Sequence, residues 1–474
     1  MNLAFLALGG ALLFLFGLYN WRFGVFAALI LVVLEGAIRK WLLPQASLMI
    51  YFAKDGILLG AYFCYFFGAR SKSAPGFREG MQLLLFAAVI WTFFQSFNYG
   101  PGSLSAGLFG WKAYVFYMPL MLMVPELFDS TEELERFLRY YLVLALPVCA
   151  LGVAQFYSPP DSPLNVYAPG ADPNESSNIA VFGEDALVRI TGTFSYISGY
   201  GAYLVVVLAL LLPLLAWSES VAWRWFLGIV TALAIANSTM TGSRAVALGA
   251  CLVLAGYIIL SVLTGASDER SRTWVHVFAV GMGIVAMLLF FQRAVDALEQ
   301  RTQAGLVAGE GQKRLWAAAF EPLDYMGEAG LLGHGNGITQ PAVSALRKVF
   351  HLPDQEYEYS SPTDAENSRV LMELGIPGFF LWYGLRIGLI LAVWQTRARV
   401  RSAFLRQLAL GTSMVLCYQL FTTTAFSPTA NVFHWFLAGF ALLLPKLDAL
   451  PHRIPAPVPV RRRSRAVRPS MARG

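Results

Sequence analysis

An all-α protein crossing a membrane twelve or thirteen times is what this sequence predicts, and three observations lead there. The 474 residues are 57% hydrophobic and only 14% charged, against roughly 25% charged in a soluble domain. The apolar residues fall in many runs long enough to cross ~30 Å of hydrocarbon as helices, more than one soluble core holds. Lysine and arginine collect in alternate short connections, the pattern of loops kept on the cytoplasmic side.

Taken in order, the runs predict spans at 3–19, 23–42, 47–67, 80–98, 111–128, 140–157, 195–216, 225–241, 244–263, 274–291, 370–394, 407–426 and 431–446. The weakest boundary lies inside the nearly continuous pair 225–263. The first run, MNLAFLALGGALLFLFGLYN, has no basic leader and no small-residue cleavage site, so it reads as a retained helix rather than a signal peptide. The basic loops hold Arg70, Lys72 and Arg78; Arg136 and Arg139; Arg270 and Arg272; and Arg397, Arg399, Arg401 and Arg406. Counting back from them puts the N-terminus outside and the C-terminus inside. If one early span is re-entrant, the count is twelve and both ends are cytoplasmic.

Six regions follow: N-terminal spans (1–157), a first external loop (158–194), a second set of spans (195–291), a long external loop (292–369), C-terminal spans (370–446) and a basic tail (447–474). The first loop, rich in Pro, Asn, Asp and Ser, has the composition of a cap or lid. The long loop opens at Phe291 to Gln303 with the spacing of an amphipathic surface helix. Gln312 to Phe320 reads as a second short helix, and a third segment surrounds Val343 to Phe350.

The net charge of +6 owes much to the tail, with Arg453, Arg461, Arg462, Arg463, Arg465, Arg468 and Arg473. Without interleaved aromatics, that tail suits solvent or lipid headgroups, not nucleic acid. Cys64, Cys149, Cys251 and Cys417 all fall inside apolar runs, and the five histidines form no ligand-spaced pair. Neither a disulfide framework nor a metal site is therefore expected. No Walker-type phosphate loop and no internal repeat is present.

Five motifs occur in order: RITGTFSYISGYGAYL (Arg189 to Leu204), TGSRAVALGA (Thr241 to Ala250), KRLWAAAFEPL (Lys313 to Leu323), GLLGHGNG (Gly330 to Gly337) and ENSRVLMELGIPG (Glu366 to Gly378). Over about residues 185–395 the chain resembles the O-antigen ligase and polymerase family of bacterial polysaccharide synthesis. The resemblance rests on an R-x-x-G-x-F entrance, an S-R-(G/A) helix start, an R-x-x-W-like segment with Trp316 closer than usual, a G-x-G turn and an N…E-x-G-x-x-G helix. Many members, the ligases especially, carry His before that Asn. Here Glu366 takes the place, which favours polymerase over ligase.

The resemblance implies a fold like the C-type glycosyltransferases and a multi-pass protein of the bacterial inner membrane. It implies transfer of glycan from an undecaprenyl-pyrophosphate donor to a sugar hydroxyl on the periplasmic face, with no cofactor and no metal. Membrane lipids and other polysaccharide-assembly proteins are the remaining candidate partners. A lipid pyrophosphate is already a good leaving group, so cations aimed at its oxygens matter more than a strong acid. Arginine suits this task through its permanent charge and bidentate fork.

Arg244 is the first candidate: a Gly–Ser–Arg turn sets backbone N–H groups beside a guanidinium at a helix start. A snorkelling interfacial arginine is the plainer alternative. Arg314 is a second catalytic candidate and Arg189 a substrate-binding one, each weighed against an ordinary solvated charge. His334, in the glycine turn, joins the substrate-binding set, as do Asn367 and Arg369. Two readings stand for Glu366. It is either the last member of a Thr363–Glu366 capping box or the general base for the acceptor hydroxyl. Glu373, two turns on, reads as a helix-packing or substrate-positioning group.

Other charges lie inside spans. Glu35 and Arg39 are spaced to pair with one another, with Lys40 beside them at the interface. Lys54 and Asp55 must seek partners on other helices, and Lys112 reads as snorkelling. A transporter of lipid-linked sugar is the main alternative function, and it requires charges lining a central cavity.

Overall fold

The computed structural model describes residues 3–68, 76–168, 179–183, 185–218, 220–307, 316, 320–340, 343, 346–347, 350–355 and 365–450. These residues form a helical bundle whose sole sheet, among the described residues, is a two-stranded hairpin, β1 (Val181–Phe182) with β2 (Leu187–Val188). Ten helical stretches are long and apolar enough to cross a membrane, so the chain is a multi-pass membrane protein.

Helices α1 (Leu3–Tyr19), α2 (Trp21–Ala37) and α3 (Ser47–Phe67) pack together at the N-terminal end. Gly17 and Gly60 permit the close crossing of α1 and α3. A Cβ at either would meet a backbone oxygen, of Ile57 or Phe14, at 2.0 Å. A π-helical turn, Ile38–Leu42, extends α2 and carries Arg39 and Lys40. Next come α4 (Glu79–Gln95), then α5 (Leu104–Val115) with α6 (Met118–Leu127), and α7 (Thr131–Val143) with α8 (Ala145–Tyr157). The latter two pairs each form a single crossing.

The second set comprises α9 (Ile197–Trp217), α10 (Val221–Met240), α11 (Arg244–Thr264) and α12 (Ser267–Phe290). Of α9's apolar window 89% is buried inside the protein, against 22% for α12. On α12, Trp274, Phe278, Met282, Val285 and Leu289 are exposed at helical spacing, forming a stripe that suits lipid. The nearly continuous run 225–263 breaks at Thr241–Ser243, where Gly242 adopts φ +61°.

Two shorter helices follow: α13 (Gln292–Val307), covering most of the stretch whose spacing predicts a helix, and α14 (Glu321–Ala329). Most of the expected segments at 312–320 and 343–350 lies outside the described residues. The chain re-enters the bundle through α15 (Glu366–Arg399) and continues into α16 (Ala403–Gln419), α17 (Pro428–Ala438) and α18 (Phe440–Ala449). Each of the thirteen expected spans thus meets a helix. The ten full crossings account for ten of them, α17 with α18 forming one; α1, α4 and α16, at 17 residues each, are shorter than the ten.

Two faces result. At one, Arg22 pairs with Asp129 at 3.1 Å, and Lys446 reaches the Pro125 carbonyl at 2.7 Å. On the same face, buried Glu269 accepts from Gln407 at 2.6 Å and pairs with Arg397 and Arg406. The opposite face gathers the ends of α2, α4, α8, α10 and α16 with the starts of α3, α5, α9, α11, α15 and α17. All the motifs with described residues have loops or helix starts on this second face.

Candidate functional site

The first two motifs meet through their backbones. Arg189 leaves β2 and donates from Nε to the Thr241 carbonyl at 3.0 Å, while Ile190 N–H bonds the Met240 carbonyl at 3.4 Å. Arg189 is thereby pinned to the Thr241–Ser243 turn, and Arg244 is the first residue of α11 after that turn, with Ser243 as N-cap. Both arginines are half-buried. A Cβ at Gly242 would meet the Phe182 ring at 2.8 Å, so the turn is packed against the hairpin.

The glycine turn and the ELGIPG segment form a second unit. Gly375 has φ +67° and Pro377 lacks an N–H, so α15 kinks and carbonyls before the kink lose their in-helix partners. Three external donors replace them. His334 N–H bonds Met372 O at 2.9 Å, Gly335 N–H bonds Glu373 O at 3.0 Å, and Trp91 Nε1 bonds Leu374 O at 2.8 Å. Fully buried Glu373 accepts from Thr339 N–H and Oγ1 at 3.0 and 2.8 Å, and from the Tyr114 hydroxyl at 2.8 Å. Glu373 is therefore a packing group, holding the turn and α5 to α15. Asn336 donates to the Thr92 carbonyl at 2.6 Å and to Ser96 Oγ at 3.0 Å, closing the joint onto α4.

His334 Nε2 donates to the Glu328 carbonyl at 2.7 Å. Its backbone is docked at Met372, well along α15 from Glu366, so the structure does not bring the two together.

Glu366 departs from the capping-box expectation. Helix α15 begins at Glu366 itself with Ala365 as N-cap, which puts Glu366 at the first helical position rather than the third that a capping box needs; Thr363 lies outside the described residues. The side chain instead reaches across the bundle. One oxygen pairs with Arg386 at 2.7 Å, and the other accepts from the Thr424 and Ala425 N–H groups. Arg386, fully buried, also donates to the Gln419 carbonyl and to Thr424 Oγ1 at 3.1 Å. Glu366 is thus committed to holding the 420–427 connection against α15. Sequence reasoning missed Arg386, although a lone arginine in the apolar run LWYGLRIG was the signal for a buried partner.

Asn367 accepts from the Ser368 N–H at 2.9 Å, a local turn contact. The Arg369 guanidinium lies 5.9 Å from the Phe426 ring centre, which places it beside the same connection. Arg314, together with Lys313, lies outside the described residues.

Phe426 also lines a cavity of about 500 Å³ walled by the ends of α2, α3, α5 and α9, by Gln340 and Leu346, and by residues 423–429. Its floor is ionic. Tyr51 sits among three cations, with Lys54 at 4.7 Å, Arg39 at 5.2 Å and Lys112 at 5.7 Å from its ring centre. Glu35 pairs with Lys54 at 2.6 Å and more loosely with Arg39 at 3.5 Å. Asp55 pairs with Lys112 at 2.6 Å and accepts from Tyr117 at 2.5 Å.

Lys54 and Asp55 find their partners on other helices, as their adjacency requires. Lys112 does not snorkel: Asp55 lies within reach, and rings of Phe52, Phe109 and Phe116 surround its ammonium. Lys40 is not at an exposed interface either. It is buried and donates to Thr191 Oγ1 at 2.6 Å and the Gly192 carbonyl at 3.1 Å, within the first motif.

The structure therefore joins Arg189 to the Arg244 turn, and sets Glu366 and Arg369 beside the connection that walls the cavity. Residues 189–199 run from the arginine pair to the cavity wall. Among known proteins, no family model matches the chain and no curated protein matches it.

Proposed function

We propose that the chain is a membrane-embedded glycosyltransferase of the bacterial inner membrane. In this reading it polymerises glycan from an undecaprenyl-pyrophosphate donor onto a sugar hydroxyl at the periplasmic face. The supporting observation is the convergence, on one face, of the Arg189–Thr241–Arg244 unit with a cation-rich, aromatic-walled cavity. The new bond joins the acceptor oxygen to the anomeric carbon. The bond from that carbon to the pyrophosphate oxygen breaks, and its electron pair leaves with the pyrophosphate.

Arg244 and Arg189 meet the charge that develops on the leaving group, in a half-buried setting where such contacts are stronger than in water. Arg369 approaches from the α15 side. With its oxygens held by Arg386 and two backbone N–H groups, Glu366 positions this wall, and the acceptor proton leaves through another group or solvent. A profile of surface glycans from a deletion strain tests the reading: loss of long chains with single repeats retained supports polymerisation. Long chains retained on undecaprenyl indicate a ligase.

A carrier of lipid-linked glycan is the second reading, favoured by buried Lys54 and Asp55 beside the cavity floor. Chain extension by purified protein separates the two.

A further inference from the structure

We propose that the cavity between α2, α3, α5 and residues 423–429 seats an acidic sugar, one whose carboxylate meets Arg39 and Lys112. The proposal rests on the glycan-handling reading above and specifies the substrate class. Its first support is charge. Among the described residues, Arg39, Lys54 and Lys112 are gathered here against Glu35 and Asp55. Burying surplus positive charge is costly, and an anion entering the cavity offsets that cost. Only Arg39, Lys112 and Glu35 of these line the cavity. With Lys54 and Asp55 counted as their partners, three cations against two carboxylates leave one unit of positive charge beside the cavity, matched to a single carboxylate. A pyrophosphate would bring more charge and place it against Glu35.

The second support is independent. Gln340 lines the cavity at 7% exposure, and its Nε2 has no hydrogen-bond partner among the described residues. A buried amide donor without a partner is poorly satisfied until a ligand oxygen reaches it. The third is shape. A volume of about 500 Å³ exceeds what a lone ion fills and lies in the range of small-molecule sites. Tyr51 and Phe426 bring aromatic rings to the lining, and Thr423 and Thr429 bring hydroxyl-bearing side chains.

Calorimetry on the full-length protein in lipid nanodiscs, with digalacturonate and its carboxyl-reduced counterpart as probes, tests this without any turnover. A failed polymerisation assay would therefore leave the result readable. The acid is expected to bind about tenfold or more tightly than the neutral disaccharide. Asp55→Asn with Lys112→Met removes a cation and its partner together, and should erase that preference. Gln340→Leu breaks no side-chain hydrogen bond among the described residues and should weaken both probes by about three- to tenfold. Equal affinity for the two probes, no binding of the acid, or an acid preference untouched in the double variant would overturn the proposal. So would tighter binding of farnesyl pyrophosphate that is lost in the same variants, because the cavity would then be the donor's pyrophosphate seat.

Discussion

Two buried ionic groups sit on the same face of this bundle and are built on opposite plans. The Glu366–Arg386 pair is balanced, one charge against one, and Glu366 spends both oxygens on Arg386 and backbone N–H groups. The Tyr51-centred cluster holds more cations than carboxylates and borders a cavity. A closed, balanced pair fixes one arrangement of helices. An open, unbalanced one stays poised for a ligand. Burial of charge alone does not mark a site; surplus charge beside space does.

The largest effect should come from breaking the closed pair on one side. Arg386→Met leaves Glu366 buried without its counter-charge and should cost about 3–5 kcal/mol, read as lost thermostability of the purified protein. Adding Glu366→Gln should restore most of that stability. If the pair is structural, the restored double variant keeps its polymer output. A folded double variant slowed by about 10²–10⁴-fold would instead return Glu366 to the role of base.

Next in size is the kink. Gly375→Ala puts a Cβ at 2.3 Å from the Leu331 carbonyl at a φ of +67°. It should cost about 1–3 kcal/mol or more, and it should loosen the glycine turn in hydrogen exchange. An unchanged melting temperature would show that the turn does not depend on the kink.

Substitutions at the arginine unit should separate activity from stability. Arg244→Lys keeps the charge and loses the fork, so polymer formation should fall to near nothing while insertion and melting stay near wild type. Near-normal product from the lysine variant would remove the bidentate-phosphate argument. The smallest stability effect belongs to the open cluster: Gln340→Leu loses no hydrogen bond and should change stability by less than about 0.5 kcal/mol.

The orientation has its own test, in a background lacking the native cysteines. Ser105→Cys at the cavity face should react with an impermeant thiol reagent once the outer membrane is opened. Ser271→Cys on the opposite face should stay protected. Reversed labelling would put the cavity in the cytoplasm and end the periplasmic reading.

How much of this was legible beforehand depended on whether the signal was local. Apolar runs gave the spans because a helix must satisfy its own backbone in lipid. Residues Thr241–Ser243 announced a turn through Gly242. The kink at Gly375 and Pro377 was written locally too, although the donors that take up its freed carbonyls, on His334, Gly335 and Trp91, were not. Capping-box spacing at Thr363–Glu366 misled because Arg386, twenty residues on, outcompetes a local cap. Lys112 reads as snorkelling only when Asp55, on another helix, is out of view. Nothing near Gln340 in sequence marks it as a cavity residue. The helices were local facts, whereas the site is made of contacts between them.

The most direct measurement is chain extension by the purified protein alone. The wild-type chain in lipid nanodiscs is given an undecaprenyl-pyrophosphate-linked oligosaccharide, and glycan length is followed together with release of undecaprenyl pyrophosphate. The account predicts longer glycans, one lipid pyrophosphate freed per bond made, and loss of both signals in Arg244→Ala. Unchanged glycan length in the wild type, with the intact lipid-linked substrate moved across the membrane of proteoliposomes, would contradict it and make the protein a carrier.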